Sequence, residues 1–126
     1  LPSPEQRTAA LGIVNAVTGF LCLARRVHAC DPASYGACLA ELRKEIGGRR
    51  FFVPVGAPAL SRELAPLVAG DPGEAEILVL TGEALVQETG DGLRDREPVS
   101  GMLLLGPSTS GVASLLNLPH WCPYGR

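Results

Sequence analysis

The sequence predicts an α/β domain: an N-terminal helix hairpin packed on a small, three- to four-stranded mixed sheet with short helices. Three observations predict it. Two helix-period segments open the chain. Three short, apolar runs follow, each ending at or near a glycine: Phe51-Phe52-Val53-Pro54-Val55-Gly56, Ile77-Leu78-Val79-Leu80-Thr81-Gly82 and Met102-Leu103-Leu104-Leu105-Gly106. Two of these runs lead into segments that read as helices, the alternation that builds a parallel or mixed sheet with helices on its faces. A competing arrangement makes residues 76–105 an antiparallel meander and the fold α+β.

The first helix starts at Ser3-Pro4, a capping hydroxyl followed by a proline whose fixed φ suits the first turn. Thr8 to Ala24 then carries no charge. This stretch falls short of a ~20-residue membrane span and contains Asn15, Thr18, Gly12 and Gly19, so a bilayer segment is not expected. Thr8, Gly12, Asn15 and Gly19 recur at helical spacing as a small and polar stripe where another backbone can approach. Ala10, Ile13, Val14, Val17, Phe20, Leu21 and Ala24 make a wide apolar face. The expectation is a central helix, its apolar face lying against the strands at 77–80 and 102–105.

Asp31-Pro32 marks a second helix start. Tyr35, Cys38, Leu39, Leu42 and Ile46 follow at helical spacing, and Gly47-Gly48 ends the segment. The short link around residues 28–31 favours an antiparallel hairpin of these two helices. Phe51–Val55 reads as a strand that Pro54 confines to an edge or an end. Ala59–Val68 reads as a short helix with Leu60, Leu64 and Leu67 on one face. Gly70–Gly73 is a turn, Glu83–Glu88 fits either a helical turn or a strand, and Gly90–Glu97 is a polar loop. Val112–Leu118 forms a last helix, and 119–126 is a C-terminal tail to a single domain spanning 1–126.

Net charge is −2 over 126 residues, with 46% hydrophobic and 19% charged side chains. That balance describes an ordinary soluble globular chain and gives no electrostatic footprint for nucleic acid. The charge is uneven: residues 1–50 hold seven basic and four acidic groups, residues 51–126 four and nine.

The loop Gly106-Pro107-Ser108-Thr109-Ser110-Gly111 is the candidate ligand site. It lies between a strand end and a helix start, where backbone N–H groups and the hydroxyls of Ser108, Thr109 and Ser110 favour an anion or phosphate. It lacks the lysine of a P-loop, and simple helix capping by the same hydroxyls competes with that reading.

Four cysteines allow three disulfide pairings. Cys30 with Cys38 across the helix link, and Cys22 with Cys122 pinning the tail to the first helix, is the easiest set in an oxidising compartment. Reduced cysteines packed as small hydrophobes are the alternative, and fit a cytoplasmic setting better than a secreted one. His28-x-Cys30 and His120-x-Cys122 do not match the usual zinc spacings, so no metal and no cofactor is expected.

Trp121 and Tyr124 are candidate partner contacts. With no catalytic constellation, an apolar composition and a split charge, the expectation is a non-catalytic binding or assembly module. Its partner would be another protein, in a homo- or hetero-oligomer. The rival is a small α/β enzyme or ligand-binding domain using the 106–111 loop.

Overall fold

The computed structural model describes residues 3–24, 31–87 and 101–122. Helix α1 covers Pro4–Phe20 and α2 covers Tyr35–Ile46. Then come β1 (Phe51–Phe52), α3 (Pro58–Glu63), β2 (Ile77–Thr81), α4 (Gly82–Val86), β3 (Met102–Leu105), α5 (Ser110–Leu116) and β4 (His120–Trp121). The fold is α/β, and its four strands stand in the order β1-β2-β3-β4. Every pairing is parallel, with Phe52 opposite Leu78, Leu80 opposite Leu104 and Leu105 opposite Trp121. The sheet is thus all parallel rather than mixed, and the antiparallel meander does not form. The reason lies in residues 82–86: Thr81 caps a helical turn, its hydroxyl accepting the Ala84 N–H, so the chain leaves the sheet plane instead of doubling back.

Pleat alternation divides the apolar strand residues between two faces. Phe51, Ile77, Val79 and Leu103 face Leu42 and Ile46 of α2, Leu60 of α3 and Leu64 just after it. Leu78, Leu80 and Leu104 face Ala84 of α4 and Ala113 of α5. Continuous apolar runs are what a strand buried on both faces requires. From β1 the chain passes through α3 to Val68, which bridges Phe51 in parallel on the side away from β2. From β2 onward it steps the other way. Winding therefore reverses at the β1–β2 boundary, the place where open α/β sheets leave a crevice at the strand ends.

Helix α1 occupies a further layer. It packs on α4, α5 and the 3-10 turn Pro107–Thr109 rather than on the strands. The expected contact of its apolar face with residues 77–80 and 102–105 is therefore not made. Helix α2 lies on the opposite sheet face, so the two N-terminal helices sit in different layers instead of forming a packed hairpin; part of their link, residues 25–30, lies outside the described residues. Helix α1 also ends earlier than expected, at Phe20. Cys22 adopts a left-handed φ of 57°, and the Leu23 and Ala24 N–H groups turn back to the Thr18 carbonyl.

The start signals act as the sequence indicates. Ser3 and Gln6 form a reciprocal capping box. Asp31 accepts the Ala33 N–H at the start of a 3-10 turn leading into α2, and Gly47 closes α2 at φ 65°. Pro54 and Pro66 shorten their elements: β1 has two residues, and α3 gives way to a 3-10 turn at Ala65–Leu67. His120–Trp121, read as part of a tail, joins the sheet as β4, with the Leu104 N–H bonded to the Pro119 carbonyl and the Gly106 N–H to the Trp121 carbonyl. No helix among the described residues is long and apolar enough to cross a membrane.

Candidate interaction surface

The way α1 sits determines which side of it remains for a partner. Arg7 donates to the Val86 carbonyl, and Leu11 lies beside Gly82, so α1 runs antiparallel to α4. Farther along, Asn15 clasps the start of α5. Its Nδ2 donates to the Ser108 carbonyl at 2.7 Å, and its Oδ1 accepts the Gly111 N–H at 2.9 Å. Thr18 is buried, its hydroxyl bonded back to the Val14 and Asn15 carbonyls.

Close approach at this seam depends on glycines of the shorter helices. A Cβ on Gly111 would come within 2.5 Å of Asn15 Oδ1 and 2.9 Å of Asn15 Cα; one on Gly82 would meet Ser108 Oγ at 2.2 Å. Where Gly111 meets α1, a seam this tight has no room for large side chains. It takes Asn15 and Thr18, with half-buried Leu11 and Val14 beside them, and Asn15 supplies the acceptor that an N-terminal N–H of α5 needs.

Turning Asn15 and Thr18 inward turns Ile13, Val17 and Phe20 outward. They are 63%, 49% and 86% exposed. Their spacings of four and three put them on one helix face. The sequence revealed this stripe but not its direction, because periodicity marks a face without saying what it meets. Gly12 and Gly19, expected to admit another backbone, have nothing within 4 Å of a built Cβ. Leu21 and Leu23 just past α1, and Leu115 and Leu116 on neighbouring α5, are also exposed. Single exposed apolar residues are normal, but a run of them with no charge from Thr8 to Ala24 is the pattern of a contact surface.

The structure gathers the 106–111 loop beneath α1. Gly106, at φ 97°, makes the turn from β3. Its carbonyl accepts the Thr109 N–H and hydroxyl and bonds His120 Nε2 at 2.9 Å. Thr109, Ser110 and Gly111 are buried and Ser108 is exposed. Ser110 Oγ has no hydrogen-bond partner among the described residues.

Among the described residues no disulfide joins Cys22, Cys38 and Cys122. Cys22 is exposed beyond the end of α1, so it is not a core hydrophobe either. Cys122 is buried after β4 and lines a cavity with Cys38 of α2, on the opposite face of the sheet from α1. Cys30 and Tyr124 lie outside the described residues. Trp121 is half-buried and packs on the Leu42–Phe51 side of the core.

Glu5 is exposed in the first turn of α1. Hydrogen bonding to its own backbone N–H, then to the Ser3 side chain, holds its carboxyl below the usual carboxylate range. No family model, curated protein or solved structure matches the chain.

Proposed function

We propose that the protein is a non-catalytic assembly module that pairs with a second copy of itself through the outer face of α1. The observation that carries this reading is the outward stripe Ile13-Val17-Phe20 on a helix whose other side, with Leu11, Val14, Asn15 and Thr18, is already packed against α4 and α5. An uncharged face meets its own copy without like-charge repulsion, and a two-fold axis needs only one self-complementary patch. Gly12 and Gly19, open in the single chain, leave room for a crossing helix.

Burying an exposed large apolar side chain is worth roughly 1.5–3 kcal/mol. Six such side chains across a two-fold contact supply about 10 kcal/mol, against association costs of roughly 4–15 kcal/mol. At the low end of that cost the balance leaves about 6 kcal/mol, a dimer with a dissociation constant of roughly tens of micromolar, which Leu115 and Leu116 tighten if the contact extends onto α5.

The anion-site reading of 106–111 has less support. The Gly111 N–H is already taken by Asn15, and of the three loop hydroxyls Ser108 alone lies on an exposed residue.

Sedimentation velocity across roughly 1–100 μM decides between the readings. Association should appear with rising concentration, and Phe20→Ser should weaken it about tenfold or more with little change in thermal midpoint. A monomer throughout that range would refute self-pairing and leave the face to a different protein.

A further inference from the structure

We infer that the protein holds a second, independent site: a cavity of about 240 Å³ at the carboxyl ends of β2, β3 and β4 that takes a small, uncharged, apolar molecule. The cavity lies on the α2 side of the sheet, away from α1. Cys38, Leu39 and Leu42 of α2 form one wall, and Leu60, Leu105 and Trp121 lie across from them.

Its position is the one where parallel sheets bind ligands, beyond the strand ends and next to the boundary where winding reverses. Its chemistry follows from what the polar neighbours already do. Thr81 Oγ1 donates to the Val55 carbonyl and accepts the Ala84 N–H. The Gly106 carbonyl is engaged by Thr109 and His120. Asp31, the one charged residue among the described residues of the lining, is exposed and caps the turn before α2, and its carboxylate disfavours an anion. An occupant therefore meets mainly carbon and sulfur, together with the Trp121 indole N–H, which has no hydrogen-bond partner among the described residues and can donate to a neutral acceptor, and a negative charge is opposed.

Well-packed interiors leave few voids larger than one water, and a water occupies about 30 Å³ of liquid. A cavity of roughly 150 Å³ lined by aliphatic and aromatic side chains binds benzene. The larger volume here suits a one- or two-ring hydrocarbon or a branched chain of similar bulk, and displacing poorly held water from apolar walls is favourable.

Trp121 is the single tryptophan of the chain and lines the cavity, so its indole N–H resonance reports occupancy directly. Toluene and naphthalene titrated into the full chain should shift that resonance saturably, with dissociation constants of roughly millimolar or tighter. Benzoate, of similar size but charged, should not. Cys38→Phe, which fills the cavity from α2, should weaken naphthalene about tenfold or more. Leu105→Phe fills it from the sheet and serves if the first variant unfolds. Phe20→Ser should bind naphthalene as the parent does, which separates this site from the α1 face. A shift that never saturates, benzoate binding as well as toluene, or unchanged affinity in a folded, filled variant would overturn the inference.

Discussion

Replacing Gly111 by alanine sets two effects of opposite sign against each other. Gly111 lies in the first turn of α5, where alanine's better helix propensity favours the variant by up to about 1 kcal/mol. Its new methyl, however, would stand 2.5 Å from Asn15 Oδ1, 2.7 Å from Thr18 Oγ1 and 2.9 Å from Asn15 Cα. A side-chain oxygen can rotate aside, but a backbone carbon on the facing helix cannot. Relief requires α1 to move off α5, which lengthens the bond from the Gly111 N–H to Asn15. Overpacking of this kind costs roughly 1–3 kcal/mol, and a weakened hydrogen bond adds about 1 kcal/mol. The net expectation is a loss of about 1–3 kcal/mol, read from urea denaturation followed by far-UV circular dichroism. Gly12→Ala is the internal control: open space surrounds it, so propensity alone acts and the variant should gain about 0.5–1 kcal/mol. A Gly111→Ala protein more stable than its parent would refute the close seam between α1 and α5.

Asn15→Ala removes both bonds of the clasp and should cost about 2 kcal/mol by the same denaturation assay, since it leaves the Gly111 N–H and the Ser108 carbonyl without that partner. Ser110→Ala should be neutral or slightly stabilising, because it deletes a buried hydroxyl that has no partner among the described residues; a large loss of thermal stability would show that Ser110 Oγ is bonded after all. Glu5 has a lowered carboxyl pKa in the folded chain, so its contribution is fully present above the ordinary glutamate value and fades as pH falls through the lowered one. Glu5→Gln should accordingly lose a small stability increment at neutral pH and show a flatter acid limb in thermal melts across pH 2–6, roughly the carboxylate range.

Helix starts and buried strands were legible because each rests on local chemistry. The Ser3-Pro4, Asp31-Pro32 and Gly47 signals depend on a few adjacent residues, and all three act in the structure. Ile77–Leu80 and Leu103–Leu105 are apolar on both sides because both sides are covered. Strand β4 escaped notice because two residues, one of them a histidine, carry no alternation to read; what recruits them is the pairing of Leu104 and Leu105 with the incoming chain. The orientation of α1 was hidden for a different reason. A wide apolar face normally marks the buried side, yet here glycines 82 and 111, distant in sequence, make a seam that admits Asn15 and Thr18 and excludes Ile13 and Phe20. The glycines within α1 drew attention to close packing, but the ones that create it belong to α4 and α5. The 106–111 loop was correctly placed between strand and helix, whereas the neighbour that engages its Gly111 N–H lies 96 residues earlier in the chain.

Introducing aspartate at two adjacent positions of α1 tests the orientation of this helix most directly. Thr18 is buried and Val17 is about half exposed, and successive helical residues point about 100° apart. With Asn15 and Thr18 inward, Thr18→Asp buries an unpaired charge and should cost about 3 kcal/mol or more, while Val17→Asp should stay within roughly 0.5 kcal/mol of the parent in denaturant unfolding of the dilute protein. The reverse order, with Val17→Asp the damaging change and Thr18→Asp tolerated, would contradict the account and turn the apolar face of α1 back toward the interior.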